Sequence, residues 1–463
     1  MNKNIKIKLL IFAVTIAFVI TSCSSAVNNT QRSNRKTSNS SGKSSNNTNS
    51  LEDDSDLLQD SASIPLTLEA IEDGTIILTG SEIKRIYFQK NDGIIQESMN
   101  NIFVKAGDKI HFYGYDFLGG NGSLRISCVT DCYIYGNVMS LLYNTDFKDK
   151  KEIKQNTVFY NLFKNNTHIK NHDSLDIVLP ATVLSNYCYS YMFSGCTGLT
   201  RIPELSATTL ANYCYEYMFA GCNSLTTLPD INIPTMGEGS CSYMFSGCKG
   251  LTKAPAVNVI TMAKNSCAGM FSDCTKMTSA PGVNASTMAE YCCRYMFKES
   301  TNLVSVTSVG NKDTTMAHAC CESMFEGCTS LTDAPALPSI KLDSGCYYLM
   351  FKDCTSLIKA PELPADTLKS GCYQKMFQNC TSLKAAPELR AKSLEQYCYN
   401  SMFEGCTSLN YVKCLAKTIP ATSCTLNWLK GVSMSGKFVR ASGVNWEAGV
   451  SGRPQNWTVE DSN

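Results

Sequence analysis

Apolar residues return along this chain at a fixed interval. Aligning the sequence on Met-Phe pairs gives nine copies of one unit, with the methionines at Met192, Met218, Met244, Met270, Met296, Met324, Met350, Met376 and Met402. Successive copies are 26 residues apart, except for one step of 28 between Met296 and Met324. Self-similarity at this period is typical of a solenoid, in which each unit buries its apolar side against its neighbours.

The pattern within one unit predicts a helix followed by a short strand. Cys214, Met218 and Cys222 stand at i, i+4 and i+8, which is one stripe of a helix. The segment from Leu228 to Ile231 reads as a strand. A proline recurs beside this strand in most units, and because proline cannot donate to a β-ladder, we expect strands of only three or four residues.

Cysteine is frequent, with 24 in the chain, and most cysteines fall in two columns of the repeat. The second column stands four residues after Met in eight units, and Ser300 replaces it once. The first column shifts between four and three residues before Met, as in Cys214 and Cys241, and both positions can point inward. Because free cysteine behaves as a small buried hydrophobe, packed thiols are the favoured interpretation, with disulfides or a metal site as the alternatives.

The N-terminus predicts export and a lipid anchor. Lys3, Lys6 and Lys8 precede an apolar run that is too short for a comfortable membrane span, so residues 1–22 are interpreted as a signal peptide. The run ends in Ile-Thr-Ser-Cys, which resembles a lipobox and makes Cys23 the predicted lipid attachment site; an ordinary secretory signal is the alternative. Residues 23–63 are rich in Ser and Asn and are expected to form a flexible tether.

Two further regions flank the repeats. Residues 64–145 show short alternating strands, with hairpin signals at Glu72-Asp73-Gly74 and Asn91-Asp92-Gly93, and predict a small all-β, sandwich-like domain. Cys128 and Cys132 there are expected to fill the core, or alternatively to pair. Residues 146–180 are predicted to cap the solenoid before its repeats at 181–424, and residues 425–463 to cap its other end, with Trp428 in a last, altered unit.

Charge and motif content point away from nucleic acid and from catalysis. Charged residues make up 17% of the chain, the formal net charge is +1, and no basic face stands out. The four histidines, His111, His168, His172 and His318, show no metal spacing and no nucleophile–base pair. We therefore expect no enzyme activity, no cofactor and no metal.

Variable residues beside the predicted strands form a mixed surface that suits recognition, although ordinary solvated side chains would look the same. The candidate binding residues on this surface are Arg201, Glu204, Asp230, Lys253, Asp333, Lys359 and Glu362. Tyrosines that precede Met are a second candidate surface, or else pack between units; they are Tyr191, Tyr217, Tyr243 and Tyr295.

The pattern F-x-G-C-T-S-L-x-x-A-P-x-L, clearest in Phe325 to Leu337 and Phe377 to Leu389, resembles the BspA-like leucine-rich repeats. These occur in surface lipoproteins of gut and oral anaerobic Gram-negative bacteria. The resemblance covers about half of the chain. It implies an α/β leucine-rich-repeat solenoid of about nine 26-residue repeats.

As a function, the resemblance implies non-enzymatic adhesion to a host or bacterial protein at the cell surface. Glycan binding as an accessory of a nutrient-uptake system is the alternative. The expected location is the outer membrane, lipid-anchored and facing the exterior. One departure bears on display: Ser24-Ser25-Ala26-Val27 follows the predicted lipidated cysteine, whereas such proteins often carry acidic residues there.

Overall fold

The computed structural model describes residues 60–115, 124–419 and 422–462. Residues 1–59 lie outside this part of the chain, so the predicted signal peptide, the lipid attachment at Cys23 and most of the predicted tether are not described. Among the described residues, no helix is long and apolar enough to cross a membrane.

The N-terminal part is built from short strands in two sheets. The strands are β1 (Thr67–Ala70), β2 (Gly74–Thr79), β3 (Ile86–Lys90), β4 (Ile95–Glu97), β5 (Asn101–Val104), β6 (Lys109–Gly114), β7 (Arg125–Cys128), β8 (Cys132–Asn137), β9 (Ile169–Asn171) and β10 (Ile177–Val178). One sheet has the order β10-β8-β1-β6-β3-β4, with β9 also paired to β8, and the other has the order β5-β2-β7. Because β9 and β10 run parallel to β8, the chain that leads into the repeats continues this sheet.

The two predicted hairpins have different outcomes. The turn at Asn91–Gly93 joins β3 and β4, which pair antiparallel as expected, and Asn91 has a φ of 54°. The hairpin at Glu72–Gly74 is wrong, because this turn carries the chain from β1 in one sheet to β2 in the other. Gly74 is needed there: a Cβ at this position would lie 1.9 Å from Thr130 Oγ1.

The predicted helix of each repeat is wrong. Among the described residues the α-helical segment is α1 (Ser140–Tyr143), before the repeats, and 3₁₀ turns occupy Ser61–Ser63, Ile83–Arg85 and Thr422–Cys424. In the repeats the chain forms successive turns in which every fourth residue has a positive φ, for example Tyr213 at 55°, Tyr217 at 52° and Gly221 at 72°. Positive φ ends an α-helix, so the Cys-Met-Cys stripe reflects a spiral of four residues per turn.

Backbone hydrogen bonds alternate along this spiral. Met218 N–H donates to the Tyr215 carbonyl within its own unit, whereas Phe219 N–H donates to the Met244 carbonyl of the next unit. Every second N–H therefore closes a turn and the others join neighbouring units. This arrangement satisfies the backbone in the core without a helix.

The inward-facing positions were predicted correctly. All nine methionines of the alignment are at most 1% exposed. Each following phenylalanine stacks on that of the next unit, with ring centroids 5.5–5.8 Å apart from Phe163 to Phe403. Phe163 belongs to the region expected to be a cap, and it is the first ring of this ladder.

The cysteine four residues after Met has a specific polar partner. Its thiol donates to the carbonyl oxygen of the phenylalanine in the preceding unit, at 2.9–3.3 Å, in all eight units that carry it. Ser300, which replaces the cysteine once, makes the same bond to Phe271 at 3.0 Å. The position therefore selects a small buried hydrogen-bond donor.

Where the first cysteine changes position, the volumes of two neighbouring core side chains change in opposite directions. Where the residue three positions before Met is tyrosine, a leucine lies five residues before that tyrosine, as Leu210 does before Tyr215. Where that residue is cysteine, the leucine becomes methionine, as in Met262 with Cys267. Four central units have the cysteine–methionine combination, and the units on either side have the tyrosine–leucine one. A smaller side chain at one site is balanced by a larger one beside it, which keeps the core filled.

All 23 cysteines in the described part of the chain are buried free thiols, Cys128 and Cys132 among them. Their inward orientation was predicted. Burial raises the pKa of Cys188, Cys241 and Cys248 to about 12, so these thiols stay protonated at neutral pH.

The strands of the repeats are shorter than predicted, with two residues each. They are β11 (Ile231–Asn232), β12 (Val257–Asn258), β13 (Thr261–Met262), β14 (Ser279–Ala280), β15 (Thr287–Met288), β16 (Ser305–Val306), β17 (Thr315–Met316) and β18 (Lys341–Leu342), and all pair parallel to their neighbours. Pro281 directly follows β14, which agrees with the expectation that proline ends the strand. Proline limits some of these strands, such as β14, whereas β13, β15, β17 and β18 are followed almost at once by the turn spiral of the same unit.

The C-terminal end closes with a three-stranded parallel sheet and an aromatic cluster. The strands are β19 (Tyr411–Cys414), β20 (Lys437–Arg440) and β21 (Thr458–Asp461). Trp428 is fully buried, stacks on Tyr399 at 6.2 Å and contacts Trp446 at 5.2 Å. Trp428 thus continues the aromatic packing of the last repeats.

Candidate binding surface

The short strands and recurrent prolines lie on one side of the repeats, which we call the strand face. Shallow depressions follow this face from unit to unit. One of about 220 Å³ is lined by Pro203 and Pro229, and one of about 310 Å³ by Pro255 and Pro281. A further depression of about 200 Å³ lies between Pro361 and Pro387. Proline keeps these places open because it adds a rigid ring and no backbone donor.

Four of the seven candidate residues line these depressions. Glu204 and Asp230 share the first, and Asp230 also lines the second together with Lys253. Glu362 lines the third, where Glu388 and Arg390 accompany it; sequence reasoning had not selected these two. Glu204 and Asp230 come together because residues 26 apart occupy the same place in successive units, as do Glu362 and Glu388. The basic Lys253 and Arg390 come from other positions of their units.

The other three candidates have neighbours of their own. Asp333 and Lys359 lie side by side through a parallel bridge between adjacent units. Arg201 is engaged at the N-terminal end, where its guanidinium pairs with Asp176 at 2.8 Å and donates to the Leu175 carbonyl. Its guanidinium therefore mainly binds the segment that precedes the repeats.

The strand face carries one charged group at Glu204, Asp230 and Lys253 and another at Asp333, Lys359 and Glu362. Between these two groups it is nearly neutral and partly apolar. Ile260 is 66% exposed and Ile340 is 55% exposed. A depression of about 310 Å³ here is lined by Ala256, Asn258, Gly282 and neighbouring residues. Exposed aliphatic side chains flanked by charges are typical of protein interaction sites.

The 28-residue step places an insertion beside this neutral stretch. Val283 pairs with Val309, 26 residues on, but Thr287 pairs with Thr315, 28 residues on, so the two extra residues fall between these points. Asn311, Lys312 and Asp313 are exposed in the resulting loop. Insertions in repeat proteins commonly mark the binding side. The irregular spacing was visible in the sequence, but the position of the insertion on the strand face was not.

The histidines are dispersed over the structure. His111 contacts Thr67 Oγ1 at 2.7 Å and burial lowers its pKa; His168 contacts Asp131 at 3.1 Å. His318 contacts the Tyr291 hydroxyl at 3.1 Å, far along the chain from the others. Within the described residues, no group of three or more His, Cys, Asp or Glu side chains is placed to hold a metal ion.

The turn spirals of the repeats form a second surface, which we call the turn face. Ion pairs between successive units follow one another along this face. Glu326 lies between Lys298 and Lys352, at 2.9 Å from each, and Glu404 pairs with Lys430 at 3.0 Å. Glu322 pairs with Arg294 at 3.0 Å. The hydrogen bonds from the two lysines hold the pKa of Glu326 below its usual value despite its burial. These pairs join residues 26 or 28 positions apart.

The tyrosines that were the second candidate surface pack against one another on the turn face. Tyr191, Tyr217 and Tyr243 stack with ring centroids 4.6 and 4.7 Å apart. Tyr295 lies two units further on, against the Arg294 guanidinium at 4.4 Å. The stacking corresponds to the interpretation of these residues as packing between units.

A stack of short parallel strands, closely spaced turns and inward-facing Leu, Met and Phe columns is a leucine-rich-repeat solenoid. The chain belongs to the BspA-type leucine-rich-repeat family: the family model matches in six copies over residues 158–304 and 294–424, more than half of the sequence. No curated protein matches the chain.

Proposed function

We propose that this protein is a non-enzymatic binding protein of the bacterial surface, which adheres to a host or bacterial protein through the strand face. The observation that carries the proposal is the neutral, partly apolar stretch around Ile260 and Ile340, with charged groups on both sides and the inserted loop beside it. The BspA-type family is compatible with adhesion and protein binding.

The shape of the strand face supports a macromolecular partner. Its depressions measure about 200 to 310 Å³, at or below the lower end of the roughly 300–1,000 Å³ of clefts that enclose a small molecule. An extended, shallow surface with exposed Ile260 suits a protein, which can contact several units at once.

The same proposal includes anchoring through lipid on Cys23 to the outer membrane, with the repeats facing outward. A multiply acylated cysteine would hold the protein stably, since each buried CH₂ contributes about 0.8 kcal/mol. Protease added to intact cells should cut the protein. Survival of the protein in intact cells, with loss after lysis, would contradict outward display.

The binding experiment compares purified wild-type protein with two arginine variants on a panel of immobilised host matrix proteins and on a glycan array. Ile260→Arg should abolish binding to the matrix protein that the wild type recognises, because it places a charge in the apolar stretch. Met434→Arg is the matched control, because Met434 is 86% exposed and lies beyond the repeats. Binding only to glycans, or equal binding by Ile260→Arg, would overturn the proposal.

A further inference from the structure

One carboxylate on the turn face differs from the ion-paired Glu322, Glu326 and Glu404 on the same face. Glu216 is half-buried, and it occupies the same place in its unit as Arg294 and Glu322 do in theirs. Its partner is Ser190, whose hydroxyl donates to Glu216 Oε2 at 3.3 Å. Among the described residues Glu216 forms no ion pair, whereas Glu322 has Arg294.

Tyrosines surround this carboxylate. Tyr187 stacks on Tyr213 at 4.9 Å, and Tyr191 stacks on Tyr217 at 4.6 Å. Burial, together with the nearby charge of Glu216, raises the pKa of all four tyrosines. Burial raises the pKa of Glu216. A carboxylate in this setting has lost water without gaining a cation, which is unfavourable for folding.

A second carboxylate adds negative charge to the same place. Glu238 accepts a hydrogen bond from the Tyr213 hydroxyl at 2.9 Å and, like Glu216, has no ion pair with a described residue. The cation that lies beside the columns, Lys164, is positioned over the Tyr191 ring at 4.1 Å. We define the aromatic-acidic patch as Glu216 and Glu238 with Tyr187, Tyr191, Tyr213 and Tyr217.

The orientation of the rings decides which ligand suits the patch. Because the tyrosine faces cover one another, they present edges and hydroxyl groups outward. A Cβ at Gly239 would lie 2.2 Å from Tyr213 Cε1, so this ring rests on the backbone of the next unit and its outer face is also covered. Stacking of a sugar requires a free ring face, whereas a cationic side chain requires acceptor oxygens, and the patch offers carboxylate and hydroxyl oxygens.

We propose that the aromatic-acidic patch is a second interaction surface, which binds a lysine or arginine side chain of a protein partner between the two tyrosine columns at Glu216. Tyrosine and arginine are enriched at the centre of protein interfaces and among the residues whose truncation costs the most binding energy. The incoming cation would complete the ion pair that Glu322, Glu326 and Glu404 already have within the chain.

The test uses fluorescein-labelled octa-lysine and octa-arginine peptides, titrated with the purified protein and followed by fluorescence anisotropy. Glu216→Gln should weaken binding about tenfold, since a charge-assisted hydrogen bond is lost. Glu362→Gln is the matched control: Glu362 is exposed on the strand face, and its substitution removes the same charge there and should leave the affinity within about twofold. The thermal midpoint of Glu216→Gln should be equal to or above that of the wild type, which excludes misfolding as the cause.

Three results would overturn the proposal. They are no binding of either peptide by the wild type, equal affinity of Glu216→Gln and the wild type, and an equal loss for Glu216→Gln and Glu362→Gln, which would indicate general attraction to an acidic protein. None of these results bears on Ile260 and the strand face, so this proposal and the proposed function fail separately.

Discussion

The thiol–carbonyl bond between units can be tested by substituting its donor. Cys354 is fully buried and donates to the Phe325 carbonyl oxygen at 3.1 Å. Ser300 shows that a hydroxyl fits the same place and makes the same bond at 3.0 Å. We therefore expect Cys354→Ser to be less destabilising than Cys354→Ala, although alanine is the more apolar residue.

The magnitude follows from two contributions. Loss of the hydrogen bond costs about 1 kcal/mol, and loss of the sulfur's contacts in a fully buried site costs about another 1 kcal/mol. Cys354→Ala loses both, or about 2 kcal/mol. Cys354→Ser keeps the bond and loses about 1 kcal/mol. Ser300→Ala provides the reciprocal change and should cost about 1 kcal/mol, because it loses the hydroxyl's bond to the Phe271 carbonyl but no sulfur contacts.

Urea unfolding followed by far-UV circular dichroism measures these differences as shifts in the transition midpoint at constant slope. Ser300→Cys is the control, because it restores the residue of the other eight units and should leave the midpoint unchanged or raise it. If Cys354→Ala is as stable as Cys354→Ser, the position selects apolar volume alone, and the hydrogen-bond explanation is refuted.

Four substitutions test other features of the fold. Met350→Asp should unfold the neighbouring units, because Met350 is fully buried in the core and an aspartate there would be a buried, unpaired charge; unchanged thermal unfolding would contradict this. Gly239→Ala should lower the thermal midpoint, since its φ is 58° and the added methyl group would meet the Tyr213 ring; a variant as stable as the wild type would show that the ring moves freely. Glu326→Gln should destabilise the protein at pH 7 and flatten its stability profile on the acid side. The pKa of Glu326 is lowered in the folded state, so its contribution to stability is present above the unfolded pKa and is lost as pH falls through the folded pKa. Glu216→Gln should change the stability in the opposite direction, because the pKa of Glu216 is raised in the folded state. Matching pH profiles for the two variants would refute the assignment of these two pKa shifts.

The sequence predicted the repeat length and the core columns because both follow from one-dimensional spacing. Met192 to Met402 had to point inward together, since a stacked unit places equivalent residues on the same side. The prediction of a helix failed because the spacing of the inward-facing residues is the same in two geometries. Residues at i, i+4 and i+8 share a face both in a helix of 3.6 residues per turn and in a spiral of four. The sequence did contain a signal in the glycines that follow Met by three residues, such as Gly195 and Gly221, where a positive φ ends a helix.

The candidate site was predictable in part for the same reason. The sequence alone selected Glu204, Asp230 and Lys253, because variable polar residues beside a strand face solvent. It did not reveal the place of the inserted loop on that face, which depends on the pairing of Thr287 with Thr315.

By itself, the sequence determined the unit, its period and which side chains fill the core, because these depend on spacing and polarity along the chain. The tertiary structure decided which charges have partners. Within the described part of the chain, Glu326 pairs with two lysines and Glu216 with none, although both are glutamates on the same face. The physical reason is that an ion pair depends on a distance of a few ångströms between residues 26 or 28 positions apart, and the stacking of units alone sets that distance.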